Sequence, residues 1–456
     1  MTGCGGAIIK TVFTSGERLK ESRSRGASMM KTKRADGNSF TGARGQWVGL
    51  ALAGLLILGG LGLDSQAAID THFVATNGLH QTPFTNGWAS AATNIQAAID
   101  AATDGDTVLV SNGVYNSGWT TNVENPAGLG SALPTRVNIS KAITVRSASG
   151  NPATTIIKGA WDPVTTNGLG AVRGVFMAAN SCLIGFTVTN GATYTNHMGN
   201  YGYCDGDGGG VRGASGSSVS NCVITGNAAD RNGGGGAGSI TFYDCRFINN
   251  VQVDAAAEGG GAMYAGTSYR CIFIGNRAAV CGAACGGTHY NGLFIGNYAQ
   301  YYGAEDSSAM HNCTVTRNAA AGRSGGVSRG SLDNCIVQAN YVGASVGNFA
   351  YMGGTAYVTN SCISPTSDLT TVSGSITNDP KFVDNGTGYG LTLVPGDYHL
   401  AKGSPCIDKG LIFSWVTNGA SASRDLAGNP RLRGLYPDMG AYESAPPPGG
   451  SLLMLH

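Results

Sequence analysis

Charge is scarce in this chain. Asp, Glu, Lys and Arg make up only 12% of its 456 residues, and the formal net charge is +1. That balance excludes a basic nucleic-acid binder and a charged disordered tail. Proline is scarce, at 14 residues, and glycine follows no strict three-residue period, so a collagen helix is excluded. No leucine ladder recurs, and past residue 67 no apolar run is long enough to span a bilayer. Glycine is in excess: 73 residues, about twice the usual share of about 7%. Apolar residues at 42% allow a core. A long chain of this composition points first to internal repeats.

Residues 1–46 hold nine Lys/Arg against three Asp/Glu. An apolar run follows from Trp47 to Leu63, then Ser65-Gln66-Ala67. A basic region, an apolar region and a small-residue site in that order describe a secretory signal, so 1–67 is expected to be a targeting segment cut after Ala67. Met29 or Met30 is the alternative start. Beyond Ala67 the balance turns slightly acidic, with 19 basic and 23 acidic residues.

Residues 94–102, NIQAAIDAA, place Ile95, Ala98, Ile99 and Ala102 on one helical face, with Thr93 or Asn94 as cap. Short strands follow at 107–110, 137–139, 142–145 and 155–157. From residue 180 onward one pattern recurs. It reads S-N-C-V-I-T-G-N at 220–227, Y-D-C-R-F-I-N-N at 243–250, Y-R-C-I-F-I-G-N at 269–276 and Y-N-G-L-F-I-G-N at 290–297. H-N-C-T-V-T-R-N at 311–318 and D-N-C-I-V-Q-A-N at 333–340 continue it. The anchors at 222, 245, 271, 292, 313, 335 and 362 are spaced 23, 26, 21, 21, 22 and 27 residues apart.

A period near 22 with strands of three to five residues leaves no room for a crossover helix. Such strands bury a face only by stacking, with rungs ~4.8 Å apart. The pattern predicts an all-β fold: a single-stranded right-handed parallel β-helix of the pectate-lyase type over 68–379, with a short N-terminal capping helix. Asn227, Asn250, Asn276, Asn297, Asn318 and Asn340 then form an amide ladder at a bend. Cys182, Cys222, Cys245, Cys271, Cys313, Cys335 and Cys362 form an inward column of small apolar side chains. Thiols in one column point the same way, so buried free thiols are expected there. Cys204 and Cys406 lie outside it and are the better disulfide candidates.

F-x-x-N at Phe247–Asn250, Phe273–Asn276 and Phe294–Asn297 resembles the repeat of the polymorphic outer-membrane proteins. Residues 71–115 are similar to the start of bacterial right-handed parallel β-helix repeat proteins. DYHLAKGSPCIDKG at 397–410, RDLAGNPR at 424–431 and PDMGAYE at 437–443 resemble the choice-of-anchor Q domain. The resemblance implies a C-terminal closing region at 380–445, followed by a disordered 446–456. It also implies a surface or secreted bacterial protein, extracellular or on the outer membrane. The polar residues of that motif, Asp408, Arg424, Asp425, Asn429, Arg431 and Asp438, are expected to lock the C-terminal end of the stack. The four apolar residues of the terminal SAPPPGGSLLMLH cannot act as an anchor, so release from the cell, or a truncated gene, is expected.

Chemistry has several candidates. Asp230, Arg231, Asp254, Glu258, Glu305 and Asp306 lie between the asparagine bend and the Gly-Ala column, and are the residues a lyase or glycoside hydrolase would use. They share no register, and no Lys/Arg cluster is visible opposite them. Asp205 and Asp207 resemble half of a Ca²⁺ loop. Tyr201, Tyr203, Tyr301 and Tyr302, with Tyr194, Tyr290 and Tyr298, offer rings for sugar faces. Cys281-x3-Cys285-x3-His289 matches no common zinc spacing and is expected to be a plain loop with no metal. The expectation is an adhesive or glycan-binding surface protein without catalysis and without a cofactor, Ca²⁺ being the one ion considered. Its partner is a polysaccharide, a surface glycan or a cell-surface protein, with no nucleic acid. The alternative is a polysaccharide lyase or glycoside hydrolase acting in a lateral groove.

Overall fold

The computed structural model describes residues 69–121, 133–195, 204–254, 257–350, 356–365, 369, 371–418 and 421–445. Residues 1–67, expected to be a targeting segment, and the 446–456 tail, Tyr201 and Tyr203 lie outside the described residues. Among the described residues no helix is long and apolar enough to cross a membrane.

The chain winds as a right-handed parallel β-helix. One rung shows the path. Gly236–Gly238 lies in a third sheet, Thr241–Tyr243 in a first, Arg246–Ile248 in a second and Val251–Gln252 in a fourth. The chain then returns to the third sheet at Met263–Tyr264. The first sheet has 12 described strands, the second and third 10 each, and the fourth 7. Strands pair in parallel with their equivalents one rung away, as Phe247 does with Phe273 and Phe273 with Phe294, apart from the antiparallel pairs at Thr120–Thr121 and Ser345–Val346. Those three rings stack inside the coil at 4.9 and 4.4 Å between centroids. Like side chains therefore fill the core in columns.

The helix α1 (Ile95–Ala101) covers the N-terminal rungs with Ile95, Ala98 and Ile99 buried. Its cap is Asn94, whose side chain accepts from the Ala97 amide at 2.9 Å. At its other end the Lys141 ammonium donates to the carbonyls of Ile99, Asp100 and Ala102, partners that a helix C-terminus leaves open.

The bend between the second and fourth sheets carries the amide ladder. The Asn227 amides, main-chain and side-chain, both donate to Asn250 Oδ1, at 3.1 and 3.0 Å. The same pair of bonds links Asn250 to Asn276, Asn276 to Asn297, Asn297 to Asn318 and Asn318 to Asn340. Asn348 receives the last pair, from Asn340.

The cysteine column differs from the expected set at both ends. Cys182 pairs with Ser218 in the first sheet, so Phe186 stands where the column predicts a thiol, its amide donating to Cys222 Sγ at 3.3 Å. Cys362 pairs with Ile336, one residue past the column, and Ser361 takes its place, accepting from the Cys335 amide at 2.9 Å. Cys406 and the cysteines of the column are free thiols, as are Cys281 and Cys285, and Cys362 touches Cys406.

The 380–443 region runs along the side of the coil rather than only over its end. Met439, Cys406, Phe382 and Tyr398 pack with Leu293, Ile295, Ile336 and Cys362. A second asparagine column, at the bend between the first and second sheets, holds it. Asn291, Asn312, Asn334 and Asn360 donate their side-chain amides to the carbonyls of Ala422, Asp438, Leu411 and Lys409. The polar motif residues tie this region to itself. Asp425 accepts from Asn429 and from the Glu443 amide, and Asp438 from the Asp408 and Ser444 amides. Wholly buried Arg431 meets Glu443 at 3.0 Å.

Candidate functional site on the outer face of the third sheet

Alternation in the third sheet sorts the sequence candidates. Val211, Gly236, Met263, Ala284, Glu305 and Val327 form one register column, and Arg212, Ala237, Tyr264, Cys285, Asp306 and Ser328 the next. The first column is core: Met263, Ala284 and Val327 are wholly buried. Glu305 therefore faces inward, 1% exposed, and its Oε1 meets no hydrogen-bond donor. Burial, then the neighbouring Asp306, pushes its carboxyl well above the usual range. It is not available to a groove.

The bend leading into the sheet folds back over the second column. Upstream rungs place glycine there, among them Gly233 and Gly260, at φ +65° and +88°. A Cβ at either would sit 2.1 or 2.3 Å from a carbonyl oxygen, of Gly236 or Met263. Farther along, the same position bears side chains: Cys281, Tyr302 and Ser324 bridge one another in sequence. The outer face thus changes from bare backbone to functional groups.

At its N-terminal end this face gathers guanidinium groups that spacing did not reveal. Arg173, wholly buried, donates through Nε to the Gly208 carbonyl at 3.1 Å and through its terminal nitrogen to the Asp207 carbonyl at 3.0 Å. Burial raises the Asp207 carboxyl, and Arg212, Arg231 and Arg173 act against that rise. Asp207 Oδ1 also accepts from the Asn232 amide at 3.1 Å. A basic cluster does stand here, contrary to the sequence expectation. Arg173 and Arg212 are 34 and five residues from Asp207, and only rung register unites them. Three guanidinium groups do not fit a Ca²⁺ site built on Asp205 and Asp207. Asp205, Asp230 and Asp254 each have a partner within the fold, and Asp230 is buried.

Toward the C-terminal end, Cys281, Cys285 and Asp306 bring their ligand atoms within 4.8 Å of one another. Both thiols donate to the Glu258 carbonyl, at 4.0 and 3.1 Å. The Glu258 side chain itself is exposed. Arg329 holds both oxygens of Asp306, Nε to Oδ1 at 2.9 Å. Tyr302 and half-buried Tyr301 flank the thiols. The exposed Arg323 lies 4.9 Å over the Tyr301 ring and donates to the Tyr302 hydroxyl at 2.8 Å. His289 is absent from this group. It points into the core, hydrogen-bonded to Ser268 at 2.8 Å, and burial lowers its pKa to about 3.

The other tyrosines divide. Tyr243, Tyr269, Tyr290 and His311 stack along the outside of the first sheet at 5.1, 4.8 and 4.7 Å, with Trp415 over His311 at 4.4 Å. Ring faces in that stack are spent on one another, so Tyr290 offers a sugar only an edge. Tyr298 is half-buried beside Gly390 of the 380–443 region, and Tyr194 packs on an alanine cluster.

No family model matches the chain. No curated protein matches it either. Among solved structures it is similar to the pectate lyase Pel9A, at 15% identity and a TM-score of 0.48, covering 82% of this chain and 96% of that one. It is also similar to a rhamnogalacturonan lyase, at 13% identity and a TM-score of 0.41, covering 69% and 90%. A pectin methylesterase from Aspergillus niger follows at 13% and 0.28, covering 67% and 90%. These likenesses concern the winding of the chain and carry nothing about its activity.

Proposed function

We propose that this is an exported surface or secreted protein that binds a polysaccharide chain along the outer face of the third sheet, without catalysis. One observation carries the reading. Most candidate carboxylates there are already committed: Asp207 lies among three guanidinium groups, Asp306 is held by Arg329 and Glu305 faces the core, which leaves Glu258 as the exposed one. A lyase or hydrolase needs at least one carboxylate or basic group poised toward the sugar. What the face offers instead is planar recognition, with an exposed guanidinium over Tyr301 beside Tyr302. Export rests on the basic, apolar and small-residue order of 1–67. A surface role for 380–445 rests on the resemblance of its motifs to the choice-of-anchor Q domain.

The test uses purified residues 68–456 with uronic-acid and neutral polysaccharides, with and without Ca²⁺. Unsaturated product, reducing ends and retention of intact polymer are followed together. Retention without product is expected, weakened about tenfold in Tyr301→Ala and in Arg323→Ala. Product that vanishes in Asp230→Ala or Asp254→Ala overturns the reading in favour of catalysis. Neither retention nor product overturns it in favour of a protein-adhesive role.

A further inference from the structure

We propose that Cys281, Cys285 and Asp306 form a site for one thiophilic divalent cation of the zinc class. The site is independent of the polysaccharide reading. Register builds it. Cys281 stands at the bend position that is glycine two rungs in a row upstream, and Cys285 stands on the outward column four residues later. Asp306 is the partner of Cys285 one rung on. The three residues are 0, 8 and 3% exposed.

Geometry and charge agree. Zinc bonds of ~2.3 Å to sulfur and ~2.0 Å to oxygen set tetrahedral ligand atoms about 3.5–3.8 Å apart. The observed limit of 4.8 Å closes to that by side-chain rotation. Two thiolates and a carboxylate exceed the charge of a divalent cation by one, and the Arg329 guanidinium on Asp306 cancels the excess. Both thiols aim at one point, the Glu258 carbonyl, which loses its donors when they deprotonate and then faces the cation. Two sulfur donors select zinc over calcium or magnesium. Tyr302, 3% exposed, and Tyr264 shield the thiols from water. Thiols bind the cation only as thiolates, so binding releases protons and weakens as pH falls.

The probe is Co²⁺ alone, titrated into the full chain after reduction and chelator treatment. A near-ultraviolet thiolate-to-cobalt band is expected to saturate at one equivalent, with visible bands of tetrahedral cobalt, and Zn²⁺ should displace it. Cys281→Ser and Cys285→Ser should each lose intensity. Asp306→Asn should keep both thiolates and weaken binding at least about tenfold. Cys362→Ser, at another contacting thiol pair, should change nothing. Circular dichroism checks that each variant is folded; if a serine variant is not, the Asp306→Asn affinity decides. An undiminished band in the Cys281→Ser/Cys285→Ser double variant would place the cobalt elsewhere and overturn the assignment. So would a folded, reduced chain with no band at saturating Co²⁺, or a Cys281–Cys285 disulfide that yields only on unfolding.

Discussion

Glu305 occupies a core column between Ala284 and Val327, so its acidity is a folding matter. Its carboxyl is raised by burial above the ordinary 4.5. Below that value both folded and unfolded chains hold the proton, and the stability is fully present. As pH rises the unfolded chain gives up the proton while the folded chain keeps it, so stability is lost until the folded value is passed. Glu443, pushed by burial to about 9 against the pull of Arg431, adds a contribution of the same sign between 4.5 and about 9. Glu305→Gln removes one of the two. Its urea midpoint should depend less on pH above 5, and at pH 8 its unfolding free energy should exceed the parent's by about 1–3 kcal/mol. Equal pH slopes in parent and variant would show that Glu305 ionises in the fold.

The asparagine ladder is the element that pins rung register. Asn276 Oδ1 takes two donors from Asn250, while its own side-chain amide serves Asn297 Oδ1 and the Phe247 carbonyl. Asn276→Ala strips those partners in a site closed to water. A loss of about 2–4 kcal/mol is expected by chemical denaturation, since each buried group left unmet costs about 1–3 kcal/mol. Asn→Ala at an exposed turn should cost a fraction of that. These columns were legible because a repeated residue at a fixed offset has to stack on itself. The α1 helix was legible from its apolar face and Asn94 cap. The ends of the cysteine column were not. Cys182 sits in a stretch resembling later copies, yet it lies in the first-sheet strand, and Phe186, four residues later, takes the column position. Arg173 and Arg212 escaped notice for a related reason: the period says which residues share a column, but not how far a bend folds back over the next one. The Cys281–Asp306 contact lies across a bend and a rung, where local spacing carries no signal.

For the whole molecule, the 380–443 region matters most. A stack of rungs with nearest-neighbour contacts alone opens from its ends inward. Here Ala422, Asp438, Leu411 and Lys409 hold four successive rungs at Asn291, Asn312, Asn334 and Asn360. Met439, 1% exposed, sits in the same seam. Met439→Ala should cost about 2–5 kcal/mol. By hydrogen exchange the amides of Leu293–Ile295 and Ile336–Gln338 should then lose protection together, while those of Thr107–Val110 keep theirs. Protection lost first at one rung and then the next would show that the seam does not couple them. The motif residues of this region were visible in the sequence, but their lateral placement was not, because the asparagines that receive them look like ordinary turn residues.

The ladder also has a direction. In every described pair the N–H groups belong to the earlier asparagine and the accepting oxygen to the later one. A nascent coil emerging N-terminus first therefore presents unmet donors at its growing edge, and the next turn of chain arrives bearing the matching oxygen. Each turn serves as the template for its successor. At Asn340 the acceptor comes instead from Asn348, eight residues on, across the antiparallel pair Tyr341–Val342 and Ser345–Val346. Templating by the ladder ends there, within the chain's own hairpin.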